Sequence, residues 1–322
     1  MQYTNLGRTG LKVSRLCLGT MNFGPHTSEA DSFKIMDQAL ESGINFFDTA
    51  NVYGWKLGEG ITEQIVGRWL KQDGRREKIV LATKCYGKMG EGVNDRGLSA
   101  YHIRRACEES LKRMQTDHID LYQMHHVDRS TPWEEIWQAM EQLVHKGKIL
   151  YVGSSNFDAI DIVQAQYEAK NRNFMGLVSE QSLYNLRARM VELEMIPACR
   201  RLGLGLIPWS PLDGGLLGGV LEKSEKVRSN EEAIQKSIEK HRDQIERYED
   251  LCKKIHEKPA DVALAWLHKN QVVTAPIIGP RTMEQLQGSF RALDIELDDN
   301  IMQQLDDIWP GPGGHAPEAY AW

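Results

Sequence analysis

Four polar side chains of complementary chemistry, Asp48, Tyr53, Lys84 and His125, each follow the end of an apolar run in the N-terminal part of the chain. The runs read NFFDTANVYG, IVLATK and HIDLYQMHH. If these are neighbouring parallel strands, the four groups meet at the strands' carboxyl ends. A phenol has a reference pKa of about 10, and an ammonium within a few ångströms favours its ionised form and lowers that value. Lys84 can supply the ammonium. A buried lysine tends to lose its proton, and Asp48 can keep it charged, giving a relay Asp48–Lys84–Tyr53. His125 can hydrogen-bond a substrate carbonyl oxygen and stabilise the charge that grows there. Together they would form a proton-donating centre. None of these side chains delivers hydride, so a nicotinamide cofactor is the natural partner.

Taken singly, each residue has an ordinary reading. An Asp after a strand caps a turn, a Tyr lines a rim, and a Lys keeps its charged head in solvent. His125, His126 and Asp128 also invite a metal reading, but no further Cys, His or Glu cluster completes a ligand set. The combination on three strand ends is what carries the argument.

The elements that would position these groups alternate along the chain. Eight short apolar, β-branched runs lie at 15–20, 44–50, 78–84, 118–125, 149–155, 176–182, 203–210 and 273–279. Helical patterns lie near 29–42, 59–71, 99–114, 132–146, 158–170, 190–201, 240–256 with 259–269, and 282–288. In 132–146, Trp133, Ile136, Trp137, Met140 and Val144 share one face, while Glu134, Glu135, Glu141 and His145 turn outward. Thr131-Pro132 supplies a start and Gly147 a stop. Eight βα cycles predict an α/β fold, a (β/α)8 TIM barrel. A doubly wound sheet would usually carry GxGxxG after its first strand, and that fingerprint is absent. The opening YTNLGRTGLKVS predicts an N-terminal β-hairpin, turning at Gly7–Gly10 and capping the barrel floor. Residues 212–256 break the rhythm and are expected to form a long loop after strand 7, of the kind that carries function in barrels. One domain over 1–322 is expected, with 310–322 an extended C-terminal tail rich in Pro and Gly.

The 322 residues suit one barrel with insertions. A hydrophobic share of 41% and a charged share of 26% are ordinary for a soluble enzyme. The formal net charge of −6 argues against nonspecific nucleic-acid binding. The five cysteines, Cys17, Cys85, Cys107, Cys199 and Cys252, are odd in number and hold no CxxC pair, which fits buried thiols in a reducing compartment. No apolar leader region opens the chain and no run of about 18 apolar residues occurs, so a cytoplasmic location without a membrane span is expected.

DTANVYG, LATK, QMHH, GSSNF and PWSPL resemble the signatures of the aldo-keto reductase superfamily, over about Leu6 to Asp306. TNLGRTGLKVS, NDRGLS and WSPL look closest to bacterial members and to the group containing potassium-channel β subunits. The resemblance implies a (β/α)8 barrel that binds NADPH, sometimes NADH, with a catalytic tetrad on Asp48, Tyr53, Lys84 and His125. Channel β subunits read Asn at the place of His125, so His here favours a working reductase. The resemblance further implies that Ser155, Asn156 and Gln181 bond the nicotinamide carboxamide and that Trp209 stacks on its ring. Stacking and carboxamide bonds together would orient the ring for transfer. Ser210, Leu212 and Gly214 begin a Gly-rich loop whose N–H groups could cradle a pyrophosphate. In IIGPRTMEQL, Gly279 and Gln285 match the adenosine-phosphate site, and Arg281 could pair with a 2′-phosphate, favouring NADP(H). Lys223, Lys226 or Arg228 could add charge, although solvation on a helix is their ordinary role. The chain departs from the family at Gly288-Ser289, where members commonly place a Glu-Asn pair that contacts adenine.

The substrate pocket is expected among Phe23, Trp55, Tyr86 and His126, with the tail near Tyr320 and Trp322, an aromatic rim suited to aldehydes and ketones. Homo-oligomerisation is allowed. Three readings follow. The first is NADPH-dependent reduction of a small-molecule aldehyde or ketone with Tyr53 as general acid. The second is an NADPH-binding redox-sensing or regulatory subunit with slow turnover. The third is a Schiff-base aldolase using Lys84, disfavoured because an ammonium paired to Asp48 is a poor nucleophile.

Overall fold

A computed structural model describes residues 1–72, 74–221 and 232–320. Two short strands open the chain, β1 (Tyr3–Asn5) and β2 (Lys12–Ser14), and pair antiparallel with Tyr3 opposite Ser14. Eight parallel strands follow. They are β3 (Cys17–Gly19), β4 (Phe46–Asp48), β5 (Val80–Cys85), β6 (Ile119–Met124), β7 (Ile149–Ser155), β8 (Leu177–Gln181), β9 (Gly205–Leu206) and β10 (Ile277–Ile278). Their spatial order is β10-β3-β4-β5-β6-β7-β8-β9, and each falls inside a run read from the sequence except β5, which runs one residue further, to Cys85. The Leu206 N–H donates to Val272 O and the Thr274 N–H to Leu206 O, joining β9 to the segment that leads into β10. The fold is a (β/α)8 barrel with an N-terminal hairpin.

The helices are α1 (Glu29–Glu41), α2 (Ile61–Leu70), α3 (Ala100–Met114), α4 (Trp133–His145), α5 (Ala159–Asn171), α6 (Met195–Leu202), α7 (Glu232–Lys240), α8 (Arg242–Lys254), α9 (Pro259–Lys269), α10 (Met283–Ser289) and α11 (Asp299–Ile308). Ser28, Ser99, Asp158, Thr282 and Asp298 start α1, α3, α5, α10 and α11, each side chain accepting from a first-turn N–H. In α4 the buried face is Trp133, Ile136, Trp137, Ala139, Met140 and Leu143, with Val144 half-buried at its edge. Glu135 is not simply solvated, since its Oε1 accepts the Ala100 N–H at 2.8 Å and ties α4 to the start of α3.

Alternation along the strands divides the core in two. Leu6, Val13, Cys17, Phe46, Val80, Ala82, Leu121, Val178, Ile207 and Ala275 fill the barrel interior. Leu18, Phe47, Leu81 and Tyr122 face the helices, where Phe47 stacks on Trp69 of α2. Leu6, from the hairpin turn, plugs the barrel floor. Gly7 beside it has φ +54°, and a Cβ there would come 2.4 Å from the Val178 oxygen, so the turn seats against β8 only as glycine. All five thiols are buried and unpaired.

The long connection after β9 carries the helical run read at 240–256: α8 buries Ile245, Tyr248, Leu251 and Cys252 against the outer layer, and α7 precedes it. Two other features depart from expectation. Helix α11 was not read from the sequence at all. Its Leu305 and Ile308 are buried, and α11 packs on α8. The tail is not wholly extended, because Glu318–Tyr320 make a 3-10 turn and the Ala316 N–H bonds Leu193 O at 2.9 Å. Lys223, Lys226, Arg228 and Trp322 lie outside the described residues. Among the described residues no helix is long and apolar enough to cross a membrane.

Candidate active site

Above the apolar floor the barrel interior turns polar. Phe46 and Asp48 alternate with Phe47, so the same pleat that buries Phe46 aims Asp48 at the axis. Val80, Ala82 and Lys84 do likewise on β5, and Gln123 stands in register with Lys84 on β6. The Lys84 ammonium donates to Asp48 Oδ1 at 2.5 Å, to Thr49 O at 2.8 Å and to Tyr53 Oη at 3.2 Å. Gln123 and Gln181 donate their side-chain N–H groups to Asp48 Oδ2 at 2.9 and 3.0 Å. Both oxygens of Asp48 are therefore engaged. Lys84 is wholly buried and Asp48 nearly so.

Burial would strip the Lys84 proton. Asp48 and then Tyr53 more than reverse this, and the net shift is upward, so the amine stays an ammonium. The expectation for Tyr53 is overturned in sign. Burial pushes the phenol up by more than Lys84 pulls it down, with Asp48 adding to the rise. His125, half-buried, sits edge-on to Tyr53 with ring centroids 6.0 Å apart. Burial, then Lys84 and His126, lower its pKa to about 2, so its imidazole is neutral at ordinary pH. The four residues singled out in the sequence thus form one cluster at the carboxyl ends of β4, β5 and β6.

A second cluster adjoins it. The Ser155 hydroxyl donates to Gln181 O at 2.9 Å. Asn156 holds a left-handed backbone, φ +59°. Its amide nitrogen donates to His125 O at 3.2 Å and to Ser155 Oγ at 3.0 Å, and its Oδ1 accepts from the Trp209 indole N–H at 3.0 Å. Gln181 faces the axis because of a register shift. β8 carries one extra residue opposite Val152/Gly153, so Leu177 pairs with Val152 and Ser179, not Val178, with Gly153. Ser179 and Gln181 then point inward and Glu180 outward.

The loop after Trp209 is tied down as well. Ser210 and Asp213 have φ of +52° and +50°, the Ser210 oxygen accepts from the Asn185 amide at 2.9 Å, and Arg187 pairs with Asp213. In the loop expected to cradle a pyrophosphate, the Gly214 N–H bonds Ser210 Oγ at 3.1 Å. The N–H groups of Asp213 and Gly215 also close turns within the loop. A tight 3-10 turn uses donors that an open Gly-rich loop would offer. Gly279 and Arg281 lie just before α10, and Gln285 lies in its first turn. The Arg281 N–H donates to Gln285 Oε1 at 2.7 Å, and Asn22 donates to Gly279 O at 2.8 Å.

The aromatic rim is partly realised. Trp55 is 59% exposed, Tyr86 is half-buried, and His126 is exposed between Tyr86 and His125, 5.3 and 5.2 Å away by ring centroids. Phe23 needs correction as a pocket residue. It has no exposed surface because its ring packs in the outer core, and the Thr62 hydroxyl donates to its carbonyl at 3.0 Å. Among the described residues no group of three or more His, Cys, Asp or Glu side chains is placed to hold a metal ion.

Sequence reading missed Gln123, the Thr49 carbonyl and Glu180. Gln123 had a signal, a lone amide at an inward position of a buried strand. Glu180 is wholly buried, and burial pushes its carboxyl up to about 7 against the Ser154, Ser182, Phe157 and Asn156 contacts that lower it. The folded state thus holds that proton to higher pH than the unfolded chain does. Stability from this group is present below about pH 4 and erodes as pH rises through 7, by on the order of 3 kcal/mol. Urea unfolding at acid and alkaline pH is expected to show this loss in the wild type and not in Glu180→Gln. An equal loss in both proteins counts against it.

With a barrel of this topology and this polar cluster at its carboxyl end, comparison with known proteins becomes specific. The Aldo/keto reductase family profile matches residues 15–310, and the chain belongs to that family. It is 59% identical over 328 aligned positions, covering all of both chains, to an uncharacterized oxidoreductase, YrpG, of Bacillus subtilis. It is 33% identical to a versiconal hemiacetal acetate reductase of Aspergillus parasiticus, over 99% of this chain and all of the relative. It is 35% identical to a probable voltage-gated potassium channel subunit beta of Arabidopsis thaliana, over 92% of each. These likenesses support an oxidoreductase that reduces carbonyl groups.

Proposed function

We propose that the protein is a single-domain, NADPH-dependent carbonyl reductase that converts an aldehyde or ketone to an alcohol, with Tyr53 as general acid. The observation that carries this reading is the contact chain from Asp48 through Lys84 to Tyr53, with His125 against the phenol. The cofactor, when bound, supplies hydride to the carbonyl carbon. The donor set suits it: an amide-rich corner at Ser155, Asn156 and Gln181 to hold a carboxamide, the half-buried Trp209 indole for the ring, and Arg281 for a 2′-phosphate.

Tyr53 and His125 would both donate hydrogen bonds to the carbonyl oxygen. A neutral imidazole donates one N–H without adding a second buried charge beside Lys84. The raised phenol pKa keeps Tyr53 protonated until the oxygen becomes alkoxide-like, a far stronger base than a phenolate, and the proton then moves. Lys84, held charged by Asp48, stabilises the phenolate left behind. The same ammonium argues against Lys84 as a Schiff-base nucleophile.

Purified protein is expected to consume NADPH in the presence of simple aldehydes and to prefer it to NADH. Arg281→Ala is expected to cut that preference by about tenfold, the worth of a charge-assisted bond. Tight NADPH binding without turnover across aldehydes, ketones and keto-sugars would instead favour a cofactor-sensing role, the reading that the channel-subunit relative suggests. An enzyme that works on carbonyls with no nicotinamide cofactor would refute both.

A further inference from the structure

One buried carboxylate lies outside the polar layer of the barrel yet reaches both loops that flank it. Glu180 faces the helices because of the β8 register shift, and it has no exposed surface. Its Oε1 accepts the Phe157 N–H at 3.2 Å and the Ser182 hydroxyl at 2.8 Å. Ser154 and Asn156 lie alongside, and the Cys199 thiol of α6 feels its charge. A buried carboxylate is costly where an apolar side chain would pack, so its partners indicate what it does.

Those partners close a circuit. The Phe157 bond holds the residue next to Asn156, whose left-handed corner presents its amide. Asn156 Oδ1 accepts from the Trp209 indole. The Trp209 backbone N–H donates to Ser182 O at 3.0 Å, and the Ser182 hydroxyl returns to Glu180. We infer that Glu180 is a positioning residue for the nicotinamide seat, setting the spacing between the Asn156 corner and the Trp209 indole through Phe157 and Ser182. This rests on the cofactor reading given above.

An ionised Glu180 makes both bonds charge-assisted and therefore tighter. The carboxyl changes charge at about 7, while burial keeps the Cys199 thiol neutral through that range. Cofactor affinity should then rise as pH passes neutrality.

The test is titration of the full-length wild type, Glu180→Gln and Glu180→Leu with NADPH, followed by tryptophan fluorescence at mildly acid and mildly alkaline pH. Glu180→Leu, which can accept neither bond, is expected to bind roughly ten- to a hundredfold more weakly, with the loss in KM for NADPH rather than in kcat. Glu180→Gln can accept both but cannot ionise. It should bind better than the Leu variant and lack the part of the wild-type pH dependence that centres near 7. Titration of the cofactor's own phosphate is common to both proteins and cancels in the comparison. Wild-type affinity in Glu180→Leu, or a wild-type pH dependence in Glu180→Gln, overturns the inference. Should the Leu variant not fold, the Gln comparison decides alone. Failure of the wild type to bind NADPH at all would instead sink the cofactor reading itself.

Discussion

Replacing Tyr53 with Phe is expected to lower kcat for carbonyl reduction by about a hundred- to ten-thousandfold, the usual worth of a positioned general acid. The change removes one oxygen and keeps the ring against His125. Asp48 and Thr49 O still hold Lys84, so the cluster has no reason to collapse. Binding of NADPH, read by fluorescence, should be unchanged. The pH profile sharpens the test. His125 is neutral far below neutrality and the phenol is shifted upward, so kcat at saturating cofactor should be level from about pH 5 to pH 9. A Tyr53→Phe protein with full turnover, or a wild-type kcat that bends with an imidazole near its ordinary value, would remove Tyr53 or the neutral His125 from the mechanism.

Lys84→Met carries the second large effect, and on stability as well as rate. The variant leaves Asp48 buried, its charge met only by amide donors of Gln123 and Gln181. Breaking a buried ion pair from one side costs about 3–5 kcal/mol, because the remaining charge is stranded. Urea unfolding at neutral pH measures the loss. A Lys84→Met protein as stable as the wild type at neutral pH would mean that the pair is not the buried unit described above. Turnover should fall too, since Tyr53 loses the cation that stabilises its phenolate.

The legible part of the site came from alternation. NFFD and IVLATK each place a polar residue in phase with buried ones, and a strand of period 2 can only send it to the axis. What was not legible depends on interruptions of that period. A plain reading of GLVSEQS puts Val178, Glu180 and Ser182 on one face and Gln181 on the other. The extra residue in β8 changes which side chains follow Val178 inward, and nothing in the local sequence marks it. Phe23 was misread for a similar reason, because a loop aromatic shows no period and its burial is decided by the outer core it joins. Helix α11 had its signals, Asp298 as cap and Ile301, Leu305 and Ile308 along one side, but it stands beyond the eighth βα cycle that completes the barrel.

By itself, then, the sequence determined the eight-fold alternation of strand and helix, the hairpin beneath it, and the three strand ends that carry a carboxylate, a phenol, an ammonium and an imidazole. Apolar periodicity is a local property, and it survives any rearrangement of neighbours. Only the tertiary structure decided the direction of the Tyr53 shift, the sharing of Asp48 between Lys84 and two glutamines, and the outward turn of Glu180. Those outcomes depend on how deeply a group is buried and which distant strand lies opposite it, and both quantities exist only once the barrel has closed.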